Sequence, residues 1–199
     1  MATPASPPGS PNPRRRSAKS RQAILTAALE LCAEKGYGGV TIEAIAASAG
    51  VSKKTIYRWW PSKGAVVLEA VTDGVEGGTP FVDTGDLAAD LWTHMTGLTV
   101  LFATAPYGPA YAGILSEVLH DDALARTLNE QLISQRFAAA KNRLRSAQLQ
   151  GELPEDTDLE LAAEMLYGPL YYRYVLRQSL HSPARVGELI DHVLRAFRP

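Results

Sequence analysis

The sequence predicts an all-α protein of about nine helices, with a three-helix N-terminal unit followed by a larger C-terminal helical bundle. Apolar residues recur three and four positions apart along most of the chain, which is the helical period. No segment combines alternating apolar and polar residues with hairpin turns, as strands would require. Glycine, proline and short capping residues separate the periodic segments where helices are expected to start and stop.

Charge divides the chain into two parts. Residues 1–63 hold ten Lys or Arg and three Asp or Glu, a net charge of +7. Residues 64–199 hold ten Lys or Arg and eighteen Asp or Glu, so the net charge of the whole chain is −1. A basic N-terminal third on an acidic remainder is typical of a nucleic-acid-binding unit joined to a unit of another kind.

The N-terminal residues predict a disordered tail and then a long first helix. Residues 1–13 have no periodic apolar set, and Arg14-Arg15-Arg16 makes the tail basic. The tail contacts DNA or only aids solubility, and the sequence leaves both alternatives open. The first helix is expected over about residues 17–35. Its inner stripe is Ile24, Leu25, Ala28, Leu31 and Cys32. Cys32 is expected to be a buried structural thiol, with redox sensing as the alternative.

Residues 41–63 contain the signals of two short helices joined by a tight turn. Thr41 can cap the first helix, and Gly50 can adopt the left-handed backbone that ends it sharply. Ser52 is then a second N-cap, and Pro61 ends the second helix. This order of signals is that of a helix-turn-helix, which places its second helix in the DNA major groove.

The second of these helices, over about residues 53–60, is cationic on its outward face. Ile56 and Trp60 lie four apart and can face inward. The residues off that stripe are Lys53, Lys54, Thr55, Tyr57 and Arg58. Lys and Arg can donate to guanine, Thr can contact thymine methyl groups, and Tyr suits phosphate oxygens. The alternative is a solvated charged helix in an ordinary bundle, but the ordered caps and turn favour DNA binding.

Several short pieces of this region carry a family resemblance when they are taken in order. They are Gly36-Tyr37, Thr41-Ile42, Ile45-Ala46, Ala49-Gly50-Val51-Ser52, Thr55-Ile56-Tyr57, Trp60 and Lys63. Together they resemble the DNA-binding domain of TetR-family transcriptional regulators over about residues 16–71. The chain is then expected to have a disordered basic tail at 1–15, a helix-turn-helix DNA-binding domain at 16–63, and a helical ligand-binding and dimerisation domain at 64–199.

The resemblance also implies roles for individual residues. Phosphate contacts are implied for Thr41, Ser52, Tyr57 and Lys63, and groove-facing positions for Lys53, Lys54, Thr55 and Arg58. Two positions depart from the family's form, because Lys54 stands where many members have glycine and Trp59 where many have histidine. Lys54 then contacts a base or only a phosphate, and Trp59 can still donate to the DNA backbone through its indole N–H.

Six further helices are expected after the turn region, with a loop over residues 76–85 between the first and the second of them. Five have expected ranges of about 62–75, 86–104, 110–119, 121–150 and 183–197. The remaining helix starts after Pro154, with Asp156 or Thr157 as its cap. A kink is expected where it passes through Gly168-Pro169, because proline lacks an N–H and its ring clashes with the preceding turn.

The resemblance implies that the last two helices form a two-fold dimer with a second copy. The candidate interface residues are Leu166, Leu170, Leu189, Ile190, Val193 and Phe197, and the alternative is that they are intramolecular core. A ligand pocket is expected in the bundle. Its candidate residues are Trp92, Met95, Phe102, Tyr107, Tyr111, Phe137, Met165 and Tyr171, with His94 and His120 as polar contacts, and each is otherwise plain core.

No signal for another class of function competes with these. The sequence has no glycine-rich phosphate loop, no nucleophile motif and no histidine pair with metal-site spacing. We therefore expect no enzyme activity, no bound metal and no cofactor. Asp90 and Glu117 are expected on solvated helix faces. No apolar run approaches transmembrane length, so a cytoplasmic protein is expected. The expected function is a homodimeric repressor released from a palindromic operator by a small apolar ligand. The alternative is a DNA-binding regulator or architectural protein without an inducer.

Overall fold

The computed structural model describes residues 13–78 and 81–197, and these residues contain nine helices and no strand. The helices are α1 (Pro13–Lys35), α2 (Ile42–Ser48), α3 (Lys53–Tyr57), α4 (Lys63–Gly78), α5 (Leu87–Ala103), α6 (Tyr107–Glu117), α7, α8 (Leu159–Val175) and α9 (Pro183–Ala196). Helix α7 comprises Asp122–Leu128, a π-helical stretch Asn129–Ile133 and Ser134–Leu149 without interruption. A 3₁₀ turn, Tyr37–Gly39, follows α1. The all-α prediction is confirmed.

Two helices begin earlier than the sequence predicts, and proline explains both differences. Helix α1 begins at Pro13, so residues 13–15 of the predicted tail are helical, while residues 1–12 lie outside the described residues. Helix α6 begins at Tyr107, with Pro109 in its first turn. Proline is tolerated in the first turn because the N–H groups there have no intrahelical partner.

Other boundaries differ by a few residues. Helix α3 ends at Tyr57 rather than Trp60, although the N–H groups of Trp59 and Trp60 still donate to the carbonyl of Ile56. Helix α4 extends to Gly78, into the predicted loop. Asp158 caps α8 in place of Asp156 or Thr157, because its Oδ1 accepts from two N–H groups of the first turn. Helix α8 runs through Pro169, and the kink there stays a prediction.

The helices pack around a continuous hydrophobic core that extends from the N-terminal region into the bundle. We call residues 13–63 the head, and residues 64–78 and 81–197 the body. Helix α1 packs against α2 and α4, and α4 packs in turn against α6. Helix α5 packs against α9, and α8 against α7 and α9. Helices α1, α4 and α6 therefore join the head to the body.

A buried ion pair fixes the start of the bundle. Arg143 of α7 donates from Nε to Asp90 Oδ2 at 2.7 Å, and Arg143 and Asp90 are 4% and 5% exposed. Burial raises the pKa of Asp90, but donors from Thr84 and Arg143 outweigh burial and lower it overall. The prediction of a solvated Asp90 was therefore wrong, because its partner lies 53 positions along the chain.

Within the described ranges, no single helix is both long and apolar enough to cross a bilayer. Only α5 and α6 taken together meet that length and composition, and they are bent by 85° relative to each other.

Candidate nucleic-acid interface

Two side-chain caps and a glycine turn build the α2–α3 unit. Thr41 Oγ1 accepts the N–H of Ala44 at 3.1 Å at the start of α2. Gly50 has a φ of 65°, the left-handed conformation that lets the chain turn directly from α2 towards α3. Ser52 Oγ accepts the N–H of Thr55 at 3.2 Å at the start of α3. Both predicted caps are confirmed, and each satisfies an N–H that the helix itself leaves unpaired.

Trp60 anchors the C-terminal end of α3. Its side chain is 3% exposed, and its indole N–H donates to Glu69 Oε2 at 2.6 Å. Glu69 also forms an ion pair with Arg21 of α1, so one carboxylate joins α3, α4 and α1. Glu69 was not singled out from the sequence, because nothing local to α4 distinguishes it from a solvated glutamate.

The outward face of α3 carries most of the predicted DNA contacts. Its exposed residues are Ser52, Lys53, Lys54, Tyr57 and Arg58. Thr55 is half-buried, and its hydroxyl lies 3.0 Å from that of Ser52, so it supports the cap as well as bordering this face. The structure therefore brings together an exposed cationic surface of three basic residues and two hydroxyl-bearing ones on a helix held at both ends.

Lys53 is held by an acidic neighbour on α2. Its Nζ lies 2.9 Å from Glu43 Oε1, and both side chains are exposed. The hydrogen bond and charge of Lys53 lower the pKa of Glu43, and the same bond raises the pKa of Lys53. Both groups therefore stay charged at neutral pH. A DNA phosphate has to compete with Glu43 for this ammonium.

Trp59 and Arg58 lie together beside the exposed face. The Arg58 guanidinium carbon is 4.9 Å from the centre of the Trp59 ring, a cation–π distance. The Trp59 ring in turn meets the buried Trp60 ring edge-on, with centroids 5.3 Å apart. These contacts restrict the positions that the Arg58 side chain can take.

Lys63 has an internal role that the sequence did not predict. It is half-buried, its Nζ donates to the Tyr37 carbonyl at 3.2 Å, and the ammonium lies 4.3 Å from the centre of the Tyr37 ring. An ammonium has three N–H groups, so these contacts leave Lys63 able to bind a phosphate as well. The Tyr37 hydroxyl donates to Glu117 of α6, so the prediction that Glu117 is solvated was also wrong.

The structure places the predicted pocket residues in several different parts of the body. Phe102 and Tyr111 stack with ring centroids 4.8 Å apart, and the Tyr111 and Tyr171 hydroxyls lie 2.8 Å apart. Phe137 stacks instead on Tyr167, with centroids 5.2 Å apart. These predicted pocket residues fill the interior of the bundle by packing on aromatic neighbours.

The remaining pocket candidates are dispersed. Trp92 is 42% exposed and donates to the Pro183 carbonyl at 3.0 Å, whereas Met95 is buried core. Tyr107 packs over Gly74, and Met165 is half-buried on α8. His94 Nε2 lies 2.8 Å from the Tyr167 hydroxyl, and His120 is exposed after the end of α6. Apolar periodicity identifies core positions and does not show which of them leave space, so a ligand pocket at these residues stays a prediction.

Four of the six predicted dimer residues are already buried within one chain. Leu166, Leu170, Ile190 and Val193 are each at most 3% exposed, so they have almost no surface to offer a partner. Leu189 and Phe197 are half-buried. The outward face of α8 and of its C-cap residue is instead marked by Leu161, Tyr172 and Leu176, which are 46%, 60% and 54% exposed.

Two further predictions concern Cys32 and metals. Cys32 is fully buried, and desolvation raises its pKa to about 11, as expected of a structural thiol. In the part of the chain that the structure describes, no group of three or more His, Cys, Asp or Glu is placed to hold a metal ion.

Comparison with known proteins decides the family. Residues 24–70 match the family described as "Bacterial regulatory proteins, tetR family", and residues 81–193 match the "Tetracyclin repressor-like, C-terminal domain". The chain belongs to the TetR family of transcriptional regulators. Proteins of this family bind DNA, form dimers and are not enzymes.

Individual relatives agree over nearly the whole length. The HTH-type transcriptional regulator YdeS of Bacillus subtilis is 34% identical over 185 residues, which are 93% of this chain and 91% of YdeS. The DNA-binding transcriptional repressor TetR of Mycobacteroides abscessus is 30% identical over 174 residues, or 86% of this chain and 90% of that protein. The crystal structure of the TetR-family regulator SCO0332 superposes with a TM-score of 0.78 at 32% identity, covering 91% of this chain and 100% of that one.

Proposed function

We propose that this TetR-family regulator is a homodimeric repressor that binds a palindromic operator and is released from it by a small, largely apolar ligand. The exposed apolar stripe on α8 is the observation that carries this proposal, because it offers a surface for a second copy. A dimer presents two copies of α3 to one DNA duplex. The M. abscessus relative is named as a repressor, which supports the same sign of regulation here.

The α8 stripe has the spacing of one helix face. It comprises Leu161, Met165, Gly168, Tyr172 and Leu176, whose positions differ by three or four. A Cβ at Gly168 would have no neighbour within 4 Å, so a partner helix can approach closely there. The half-buried Leu189 of α9 adds to the apolar surface of the last two helices. This stripe replaces the buried residues Leu166, Leu170, Ile190 and Val193 as the candidate interface.

The two-fold symmetry of the dimer determines the symmetry of the DNA site that it binds. Two α3 helices related by a two-fold axis fit two half-sites of inverted sequence, with centres about 34–36 Å apart if they lie one helical turn apart. Within each half-site, Lys53, Lys54, Thr55 and Arg58 face the groove, and Thr41, Ser52, Tyr57, Trp59 and Lys63 contact the backbone. A regulator with this function acts in the bacterial cytoplasm.

Selection of bound sequences from random duplex DNA tests the operator and its symmetry together. We expect an inverted repeat bound by two chains. Leu161→Glu combined with Tyr172→Glu should abolish dimers and weaken binding to the full repeat, as measured by sedimentation and DNA titration. Leu149→Glu is the matched control, because Leu149 is 85% exposed at the end of α7 and away from the stripe. A selected site without symmetry, or a double variant that remains dimeric, contradicts the proposal.

A second candidate is a regulator without an inducer. It is favoured by the filled interior of the body, where Phe102, Tyr111 and Tyr171 pack on one another. The two candidates differ in whether any small molecule changes the affinity for the selected DNA. Operator affinity that stays constant across a broad panel of apolar compounds would support this second candidate.

A further inference from the structure

A cleft of about 740 Å³ lies where the head meets the body, outside the aromatic interior. One wall is the turn at Gly36–Gly38 in the head, and the other is formed by α6 and the C-terminal end of α8. We call this space the head–body cleft. Its volume falls in the range of small-molecule sites, which is roughly 300–1,000 Å³.

The wall of the head–body cleft includes apolar side chains that the chain leaves open to water. Leu119 is 77% exposed and Val175 is 58% exposed, and both line the cleft together with Ala112. Burying such surface under an apolar ligand is favourable, roughly in proportion to the area covered. The cleft can therefore hold the hydrocarbon part of a small molecule.

Arg177 lines the same cleft in a conformation that normally belongs to glycine. Its φ is 55°, and it follows α8 at the position where the chain reverses. The N–H of Arg177 donates to the Tyr174 carbonyl at 3.1 Å, and that of Gln178 to the Arg173 carbonyl at 2.8 Å. These two bonds make a Schellman motif, whose left-handed residue is usually glycine, so arginine here lowers stability.

Among the described residues, no acidic side chain forms an ion pair with Arg177. Arg177 is exposed and lines this cleft together with Tyr174. Glu117 is the only acid among the described lining residues, and it accepts a hydrogen bond from the Tyr37 hydroxyl. A left-handed arginine at an apolar cleft, with no acidic partner among the described residues, points to an anionic ligand.

We infer that the head–body cleft binds an amphipathic organic anion, and that its binding weakens the affinity for DNA. The acid group pairs with Arg177, and the apolar part covers Leu119 and Val175. This inference rests on the proposed function, to which it adds the site and the class of ligand. It places that site outside the aromatic interior of the body.

Tyr37 gives the cleft a direct connection to the DNA-binding unit. A Cβ at Gly113 of α6 would lie only 2.1 Å from the Tyr37 side chain, so the two are in close contact without any side chain between them. Lys63, the first residue of α4, donates to the Tyr37 carbonyl. A ligand that pushes against Tyr37 therefore moves the segment that follows α3.

The test measures binding of a fluorescent organic anion, 1-anilinonaphthalene-8-sulfonate, to the full chain. Competition uses decanoate, 1-decanol and decyltrimethylammonium below their micelle concentrations, because these share a chain length and differ in charge. Decanoate should displace the probe at least about tenfold more effectively than the cation. Decanoate should also weaken operator binding about fivefold or more, within the usual range of coupling between two sites.

Two variants locate the site. Arg177→Gly should lose decanoate binding by at least about tenfold while its melting temperature rises by about 2 °C, because glycine relieves the left-handed strain. Ala112→Trp should block the cleft and remove the effect of decanoate on DNA. Arg145→Ala, which removes an exposed positive charge from α7, should leave decanoate binding unchanged.

Each other outcome overturns the inference. Displacement of the probe by the cation as readily as by decanoate removes the role of Arg177. Decanoate binding that both Arg177→Gly and Ala112→Trp retain places the site elsewhere, and decanoate binding without an effect on DNA removes the coupling. A wild-type chain that binds the operator but not decanoate contradicts only this inference, whereas failure of the ligand-free chain to bind any selected duplex contradicts the proposed function itself.

Discussion

The head and the body use the same kind of charge in opposite ways. Lys54 and Arg58 lie on the exposed face of α3, where water and salt surround them. The Arg143 side chain is only 2% exposed and is surrounded by Asp90, Glu152 and Asp83. An exposed cation contributes little to folding and remains available for a ligand, whereas a buried cation must be paired for the fold to persist. The position of a charge, rather than its identity, thus separates binding residues from structural ones here.

The largest effect is expected in the body. Asp90→Ala leaves Arg143 buried beside the longer contacts to Glu152 and Asp83, at 3.4 and 3.6 Å, so the free energy of unfolding should fall by about 3–5 kcal/mol. Urea denaturation measures this change. Asp191→Ala is the control, because it breaks an exposed ion pair with Arg195 and should change stability little. Equal effects of the two variants would show that the Asp90–Arg143 pair is not stabilising.

The next effect is expected in the head and should concern DNA alone. Lys54→Ala and Arg58→Ala should each weaken binding to the selected operator by about tenfold or more, since a good contact to a base contributes about 1–3 kcal/mol. Stability should not change, because both side chains are exposed. Fluorescence anisotropy with labelled duplex measures the affinity, and Arg145→Ala is the control for loss of one positive charge.

Salt dependence distinguishes the two roles left open for Lys54. If Lys54 contacts only a phosphate, Lys54→Ala should weaken binding equally for all DNA sequences. The steepness of log affinity against log salt concentration should then fall by about 0.9. If it contacts a base, preference at one operator position should relax. If neither Lys54→Ala nor Arg58→Ala changes the affinity for DNA, the proposal that this face of α3 binds DNA is contradicted.

The same contrast explains what could be predicted from the sequence. The caps at Thr41 and Ser52 bond to groups three residues away, so local residue types were sufficient to identify them. The exposed face of α3 followed because Ile56 and Trp60 define its buried side. In the head, therefore, the caps and the exposed face of α3 could be predicted from the sequence, while the DNA contacts stay predictions.

The body could be predicted only as a set of helices. Asp90 was assigned to solvent because its partner, Arg143, lies on another helix. Apolar periodicity identified the core face of α8, with Leu166 and Leu170, and gave no signal for the exposed Tyr172 on the opposite face. Similarly, the left-handed Arg177 has no local signal, since glycine rather than arginine predicts that conformation. Contacts between distant segments decide these features.

A smaller effect is expected where stability and DNA binding meet. Ser52→Ala removes the α3 cap and should lower the free energy of unfolding by about 1 kcal/mol, and it should weaken DNA binding as well, because α3 begins there. Ser182→Ala removes the equivalent cap of α9, where Ser182 Oγ accepts the N–H of Arg185 at 3.3 Å. Ser182→Ala should lower the free energy of unfolding by a similar amount but leave the affinity for DNA unchanged. Equal losses of DNA affinity would mean that α3 is not the specific contact.

The smallest effect concerns the exposed pair of Lys53 and Glu43. Glu43→Gln keeps the size of the side chain but removes the charge that holds the Lys53 ammonium, so DNA affinity should rise by about two- to threefold at low salt, as expected for an exposed ion pair. The gain should vanish near 1 M salt, where the screening length is about 3 Å. Glu160→Gln is the matched control, because it releases Lys141 in the body in the same way. A fall in DNA affinity with Glu43→Gln would instead mean that Glu43 holds Lys53 in position to bind DNA. The exposed pair of Glu43 and Lys53 would then have a structural role, as the buried pair of Asp90 and Arg143 has.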